Sequence, residues 1–240
     1  MTKINLYEKT IKKELSVWEK SMLKPPGLVG KTSKSMQTKM QSLIPKKVQD
    51  FITVSIQKMM EMIMNGSSLL TKTEMAYNIS LGESDYLIEQ TFKVYDKVAI
   101  AQGFGFGMGG FLLGLADFPT LLSIKVKFLY DCAKCYGFDV NNESEKLFML
   151  YIFQLAFCSD QRRIELFPIM KSWDDTRPKE VDWAMFQIEY CDYIDIAKLL
   201  QLLPVVGSIA GGTANHGLLK KLKTTAMNCY RLRVLQNSTV

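Results

Sequence analysis

Apolar side chains recur along this chain at intervals of three and four residues, which is the spacing of one face of an α-helix. The strongest such pattern follows Pro45 and comprises Val48, Phe51, Ile52, Ser55, Ile56, Met59, Met60 and Ile63. Asn65-Gly66 follows the pattern, and we expect the glycine to end the helix in the left-handed conformation. The sequence therefore predicts an amphipathic helix over residues 45–65.

Capping and stop signals divide the rest of the chain into further helices. Asn5 with Glu8, and Asn142 with Glu145, each have the spacing of a capping box, and Gly137 is placed to end a helix. The predicted helices are 6–22, 45–65, 68–79, 82–102, 118–136, 142–158, 182–203 and 213–235. Because no stretch alternates with a period of two, we predict an all-α fold.

We expect a single compact multi-helix domain over residues 1–240. Within it, residues 1–45 form a basic N-terminal helix and a Lys-rich linker, and residues 46–240 form the helical core.

Two windows without a charged residue interrupt the polar pattern. Window 1 covers residues 98–116, window 2 covers residues 199–219, and together they hold ten of the 15 glycines. A helix needs about 20 apolar residues to cross a bilayer core, so both windows reach that length. Pro204, Asn215 and His216 nevertheless suit a lipid-exposed span poorly.

Several of these glycines are four residues apart, as in Gly103/Gly107 and Gly207/Gly211. Each glycine in a solvated helix costs about 1 kcal/mol relative to alanine, so close packing must offset that cost. We predict that the two windows form Gly-rich apolar helical segments that pack together. Three settings stay open: a span, shallow or regulated membrane association, and a soluble core.

The net charge of +6 is unevenly distributed. Residues 1–50 carry 11 Lys and four acids, residues 51–200 are net acidic, and residues 201–240 carry five basic residues and no acid. Basic ends can face anionic headgroups, bind nucleic acid or dock on the acidic middle of the same chain. Nucleic-acid binding has only the net charge in its favour, so we expect no nucleic-acid partner.

Three further motifs are decoys. The pattern at 105–110 matches G-x-G-x-x-G, and Gly30-Lys31-Thr32 resembles part of a phosphate loop, but neither follows a predicted strand. Cys132 and Cys135 form a C-x-x-C at the end of a helix, where the dipole opposes thiolate formation. We therefore expect structural cysteines, no cofactor and no metal site.

A series of short motifs resembles the EcsC protein family. They are Trp18, Ile44-Pro45, the run from Gly103 to Ala116-Asp117-Phe118-Pro119, Tyr136-Gly137-Phe138-Asp139, Glu145-Lys146-Leu147-Phe148, Leu203-Pro204-Val205-Val206-Gly207 with Asn215, and Tyr230-Arg231-Leu232-Arg233. Each motif is short, but their order covers nearly the whole chain.

The resemblance implies which residues match the family pattern and where such a protein acts, but it implies no chemical reaction. EcsC-like proteins are often encoded beside the ATPase and the membrane subunit of an EcsAB-type ABC transporter. The positions that match the family pattern, without a catalytic role, are Gly103, Gly107, Gly110, Asp117, Pro119, Gly137, Asp139, Gly207, Gly211 and Asn215.

These observations favour a non-catalytic accessory or regulatory protein on the cytoplasmic face of the cell membrane. Its expected partner is an anionic membrane surface or an EcsAB-like membrane complex, with partial insertion of the windows as an option. The alternative is a hydrolase-like or peptidase-like enzyme, or a small-ligand binder, with its site where the Gly-rich segment, Asp117 and an Asn215-His216 turn meet. Asp117 also has a simple role as the N-cap of the next helix.

Overall fold

The computed structural model describes residues 3–25, 46–67, 70–106, 118–178, 186, 190 and 208–237, with the backbone alone for 3–5, 102–106 and 208–214. The regular elements of the described residues are all α-helices, which confirms the predicted all-α fold. The helices are α1 (Lys3–Met22), α2 (Lys46–Asn65), α3 (Leu81–Phe106), α4 (Phe118–Cys135), α5 (Glu143–Phe157), α6 (Asp160–Lys171), α7 (Trp173–Thr176) and α8 (Ser208–Asn237).

One shared apolar core joins these helices. α5 lies at its centre and is buried on all sides from Leu147 to Phe157, as expected for a helix that is apolar around its whole circumference. α2 buries the predicted stripe, with Phe51 half-buried at its margin. α2 packs on α4 and α5, and α8 packs on α3, α4 and α5.

The helix starts follow capping chemistry, although not always at the predicted residues. α3 opens with a capping box, in which the Ser80 amide donates to Glu83 and the Glu83 amide donates to the Ser80 hydroxyl. Asn142 caps α5 as predicted, by accepting the amide of Ser144. Glu145 does not complete a box there, because its carboxylate is buried against α8.

Other expectations were wrong. Residues 71–79, predicted to belong to a helix over 68–79, form a loop, and α1 begins before Asn5. Gly66 follows the end of α2 without a positive φ. Glycine is needed at this position because a Cβ would collide with the Tyr130 hydroxyl and the Met62 carbonyl. The helices α6 and α7 were missed, and most of the predicted helix 182–203 lies outside the described residues.

The longest helices, α3 and α8, run antiparallel along each other. Asp85 pairs with Arg231, Glu89 with Lys223, and Ala99 with Asn215. The residue numbers rise along α3 as they fall along α8, which fixes the direction. The pair carries the described parts of both uncharged windows, residues 98–106 on α3 and 208–219 on α8.

Candidate functional site

A row of ion pairs forms the middle of the seam between α3 and α8. The Lys223 ammonium lies 2.6 Å from the Glu89 carboxylate, and Nδ1 of His216 lies 2.7 Å from Oδ1 of Asp96. Lys223 also lies over the ring of Phe92, at 4.4 Å from its centroid. Acids of α3 therefore meet basic side chains of α8 at two points that are two helical turns apart, with Phe92 between them.

Asp85 is the most enclosed acid of the seam, with 4% of its surface exposed. Its carboxylate accepts hydrogen bonds from Nε of Arg231 at 3.1 Å, from the Tyr7 hydroxyl at 2.6 Å and from the Tyr136 hydroxyl. Partial burial, helped by the hydrogen bond to Asp85, raises the pKa of Tyr7 to about 12. Asp85 thereby ties α1, α4 and α8 to α3, and a buried charge requires such partners.

A second buried ion pair closes the other side of α8. Arg233 donates to Glu145 at 2.8 Å and to Asp174 at 3.0 Å, and its guanidinium lies 4.1 Å from the Phe138 ring centroid. Tyr230 donates to Glu145 at 2.7 Å. Burial raises the pKa of Glu145, and the neighbouring Arg233 opposes that rise. The motif Tyr230-Arg231-Leu232-Arg233 is therefore a clamp that holds α8 in the core.

These pairs correct one expectation about charge. Of the five basic residues after position 200, Lys223, Arg231 and Arg233 bind acids of the same chain, so the C-terminal helix does not turn its basic residues uniformly toward headgroups. Lys220 and Lys221 are exposed. The docking of a basic end on the acidic middle, one of the options from the sequence, applies to most of this segment.

Beyond the ion pairs, the seam enters the two uncharged windows. The side-chain amide of Asn215 in window 2 donates to the Ala99 carbonyl in window 1 at 3.2 Å, and Asn215 is 1% exposed. Gly103 lies one helical turn beyond Ala99 on α3, and Gly211 lies one helical turn before Asn215 on α8. The described parts of the two windows, residues 98–106 and 208–219, thus lie at the same end of the α3–α8 pair, where Asn215 bonds to Ala99.

Four family-pattern positions, Gly107, Gly110, Asp117 and Gly207, lie outside the described residues. The parts of the windows at 107–116 and 199–207 lie outside them as well. Of the helices in the described ranges, none is both long and apolar enough to cross a membrane.

The remaining family-pattern positions do not converge on one site. Pro119 lies in the first turn of α4, where a missing amide hydrogen costs nothing. Gly137 and Asp139 follow the other end of α4, which is about 27 Å away at 1.5 Å per residue. The pattern therefore marks two separated places, the window end and the end of α4.

Gly137 has a clear structural role at the end of α4. Its φ is +80°, its amide donates to the Lys134 carbonyl, and the Phe138 amide donates to the Ala133 carbonyl. This pair of bonds is a Schellman motif, which requires the left-handed conformation at the glycine. The sequence signal, a glycine after a helical stripe, was interpreted correctly here.

Asp139 lines an open cavity of about 520 Å³ beside that turn. Its carboxylate accepts the Asn141 amide at 2.9 Å, which fixes the turn. Lys134 also lines the cavity, but its ammonium is engaged by the Thr71 hydroxyl and carbonyl. The cavity is therefore lined by groups that already hold the loop in place.

The chemistry of the seam was only partly foreseen. His216 has an acidic partner, Asp96, although no acid lies near it in sequence, and Asn215-His216 lies within α8 rather than in a turn. Within the described ranges, no hydroxyl or thiol bonds to the His216 ring. The helical period shows which residues share a face of α3 or of α8. It could have suggested the His216–Asp96 pair only if the register between the two helices had been known.

The C-x-x-C thiols are enclosed in the core. Cys132 and Cys135 are buried and free, and burial raises the pKa of Cys135 to about 11 and that of Cys132 well above its ordinary value. Such thiols stay protonated near neutral pH, as structural cysteines do.

Comparison with known proteins agrees with the motifs. The model of the EcsC protein family matches residues 9–235. The chain is 44% identical to Protein EcsC of Bacillus subtilis (strain 168) over 221 residues, covering 92% of this chain and 93% of that protein. It is 30% identical to the uncharacterized protein YdbA of the same organism over 155 residues, covering 62% of this chain and 57% of that protein. No solved structure gives a significant match. The chain belongs to the EcsC protein family.

Proposed function

We propose that the chain is a non-catalytic accessory protein that associates peripherally with the cytoplasmic face of a membrane. One observation carries this proposal: the antiparallel seam brings the described parts of both uncharged, Gly-rich windows, residues 98–106 and 208–219, to the same end of the α3–α8 pair. An end with two such windows suits contact with lipid or with the apolar part of a membrane protein.

The outer face of α1 supports an anionic partner. Lys9, Lys12, Lys13 and Lys20 of this helix are exposed. Two of its three acids face other helices, since Glu19 pairs with Lys171 at 2.7 Å and Glu14 lies 3.7 Å from Arg231. Each lysine near an anionic membrane contributes about 1 kcal/mol to binding.

The family resemblance suggests a specific membrane partner. We propose an EcsAB-type ABC transporter, which would hold the chain beside the membrane subunit while the α1 lysines face the headgroups. Co-purification of the full chain with the transporter from detergent extracts tests this finer step separately from membrane association.

Cell fractionation tests the association itself. After lysis at low salt, we expect the protein to sediment with membranes, and a high-salt wash to release a large part because exposed lysines are screened by salt. A part that only detergent releases would support insertion of the windows. A protein that remains in the supernatant at low salt would exclude membrane association.

A further inference from the structure

A stripe of exposed side chains runs along the outer face of α3. Its members are Tyr86, Leu87, Lys93, Val94, Lys97, Val98 and Ala101, and the half-buried Gln90 occupies the turn between Leu87 and Lys93. Tyr86 and Val94 are each 64% exposed. Single exposed apolar residues are common on proteins, but an aligned row on one helix face indicates a contact surface.

The charges of α3 are sorted between its two faces. Asp85, Glu89 and Asp96 point into the seam and pair with basic residues of α8. Lys93 and Lys97 are exposed in the outer stripe, and no acid of the described residues pairs with either. The exposed acid of α3, Glu83, lies at the helix start and is held by Ser80. The stripe is therefore apolar and basic.

The stripe also links the two ends of the molecule that the proposed function uses. Tyr7 of α1 packs against the start of α3 at Gly82 and Asp85, whereas the windows meet near Gly103. These positions are about 30 Å apart along the helix axis. A membrane contact at one end alone would leave the other end away from the surface.

We propose that α3 lies in the plane of an anionic lipid surface, with the stripe from Tyr86 to Ala101 against the headgroups. This inference rests on the proposed function and adds the orientation of the bound protein. Tyrosine, valine and leucine bury apolar surface at the headgroup boundary, while Lys93 and Lys97 meet the lipid phosphates. With α3 parallel to the surface, the α1 end and the window end can both touch the same bilayer.

The test is sedimentation of the full chain with vesicles of phosphatidylcholine and phosphatidylserine at low salt. The charge-reversal pair Lys93→Glu and Lys97→Glu should weaken binding by about 30-fold or more, since each lysine contributes about fivefold and the new carboxylates are repelled by the lipid phosphates. The matched control reverses Lys47 and Lys58, which are exposed on α2 and change the net charge equally. The control pair should bind within about threefold of the wild type, a margin that allows for long-range electrostatics.

An apolar pair of variants tests the same orientation without a change in charge. Val94→Ser should weaken vesicle binding by about fivefold, because it removes a side chain from the lipid boundary. Val54→Ser, at a 47% exposed position of α2, should leave vesicle binding unchanged. Circular dichroism and the melting temperature of each variant verify that the fold is retained.

If the wild-type protein binds the vesicles and the α3 and α2 variants bind them equally well, the proposed orientation of α3 is wrong, while peripheral association still holds. Wild-type protein that ignores these vesicles would overturn both proposals. Loss of binding only in the α3 variants would support the stripe as the membrane face.

Discussion

Gly137 shows how a single residue sets a boundary of the fold. Its φ of +80° is in the left-handed region, and a Cβ there would approach the Ala76 carbonyl to 3.0 Å. The same turn receives the loop before α3, because the Ala76 amide donates to the Lys134 carbonyl at 2.9 Å. A side chain at position 137 would therefore strain both the end of α4 and the docking of that loop.

We expect Gly137→Ala to lower the free energy of unfolding by about 1–2 kcal/mol, the cost of a left-handed alanine. The control is Gly217→Ala in α8, where no atom lies within 4 Å of the added methyl group. Because alanine favours a helix interior, this control should gain up to about 1 kcal/mol. Urea unfolding measures the change in unfolding free energy for both variants. A Gly137→Ala variant as stable as the wild type would contradict the left-handed turn assigned to Gly137.

Lys125 illustrates what a sequence cannot reveal at the residue scale. As a lysine in the correctly predicted helix α4, it would be expected to face solvent. Its side chain is instead 3% exposed, and its ammonium donates to the Leu121 carbonyl. Burial lowers the pKa of Lys125 to about 8. Its burial depends on which face of α4 meets its neighbours, and that is a tertiary property.

At the scale of elements, the acids of α3 differ in their depth in the seam. Asp85 is buried with three donors, whereas 44% of the Glu89 side chain is exposed beside Lys223. Removing one partner of a buried ion pair leaves an uncompensated charge, but an exposed pair contributes little. The Asp85–Arg231 pair should therefore contribute more to the free energy of unfolding than the Glu89–Lys223 pair, although both join α3 to α8.

We expect Asp85→Asn to lower the free energy of unfolding by about 3 kcal/mol or more, because Arg231 then loses its buried counter-charge. Glu89→Gln on the same helix should cost less than about 1 kcal/mol. Chemical denaturation of both variants provides the comparison. Similar small costs at the two positions would refute the role of Asp85 as the anchor of α1, α4 and α8.

Helix prediction succeeded where a local signal existed. The apolar stripe of α2, the Asn142 cap of α5 and the Gly137 stop of α4 each arise from neighbouring residues. A helix was predicted over residues 68–79, but residues 71–79 form a loop in which the Ala76 amide donates to the Lys134 carbonyl of α4. α6, which contains Pro168, has no strong apolar period that would have revealed it.

At the scale of the whole molecule, the charge pattern changed its meaning once the helices were placed. From the sequence, both basic ends were equal candidates for a membrane surface. The clamp residues Arg231 and Arg233 are instead neutralised inside the protein, whereas the lysines of α1 and α3 are among the exposed basic residues that can meet an external partner. Pairing across the seam depends on helix register, which local patterns do not encode.

Vesicle sedimentation across a salt series tests peripheral association most directly. The full chain is mixed with phosphatidylcholine vesicles that contain or lack phosphatidylserine, and the bound fraction is measured at increasing salt. Peripheral association through exposed lysines predicts binding that requires the anionic lipid and weakens steadily as salt rises. An equal, low bound fraction on both vesicle types at low salt would contradict it.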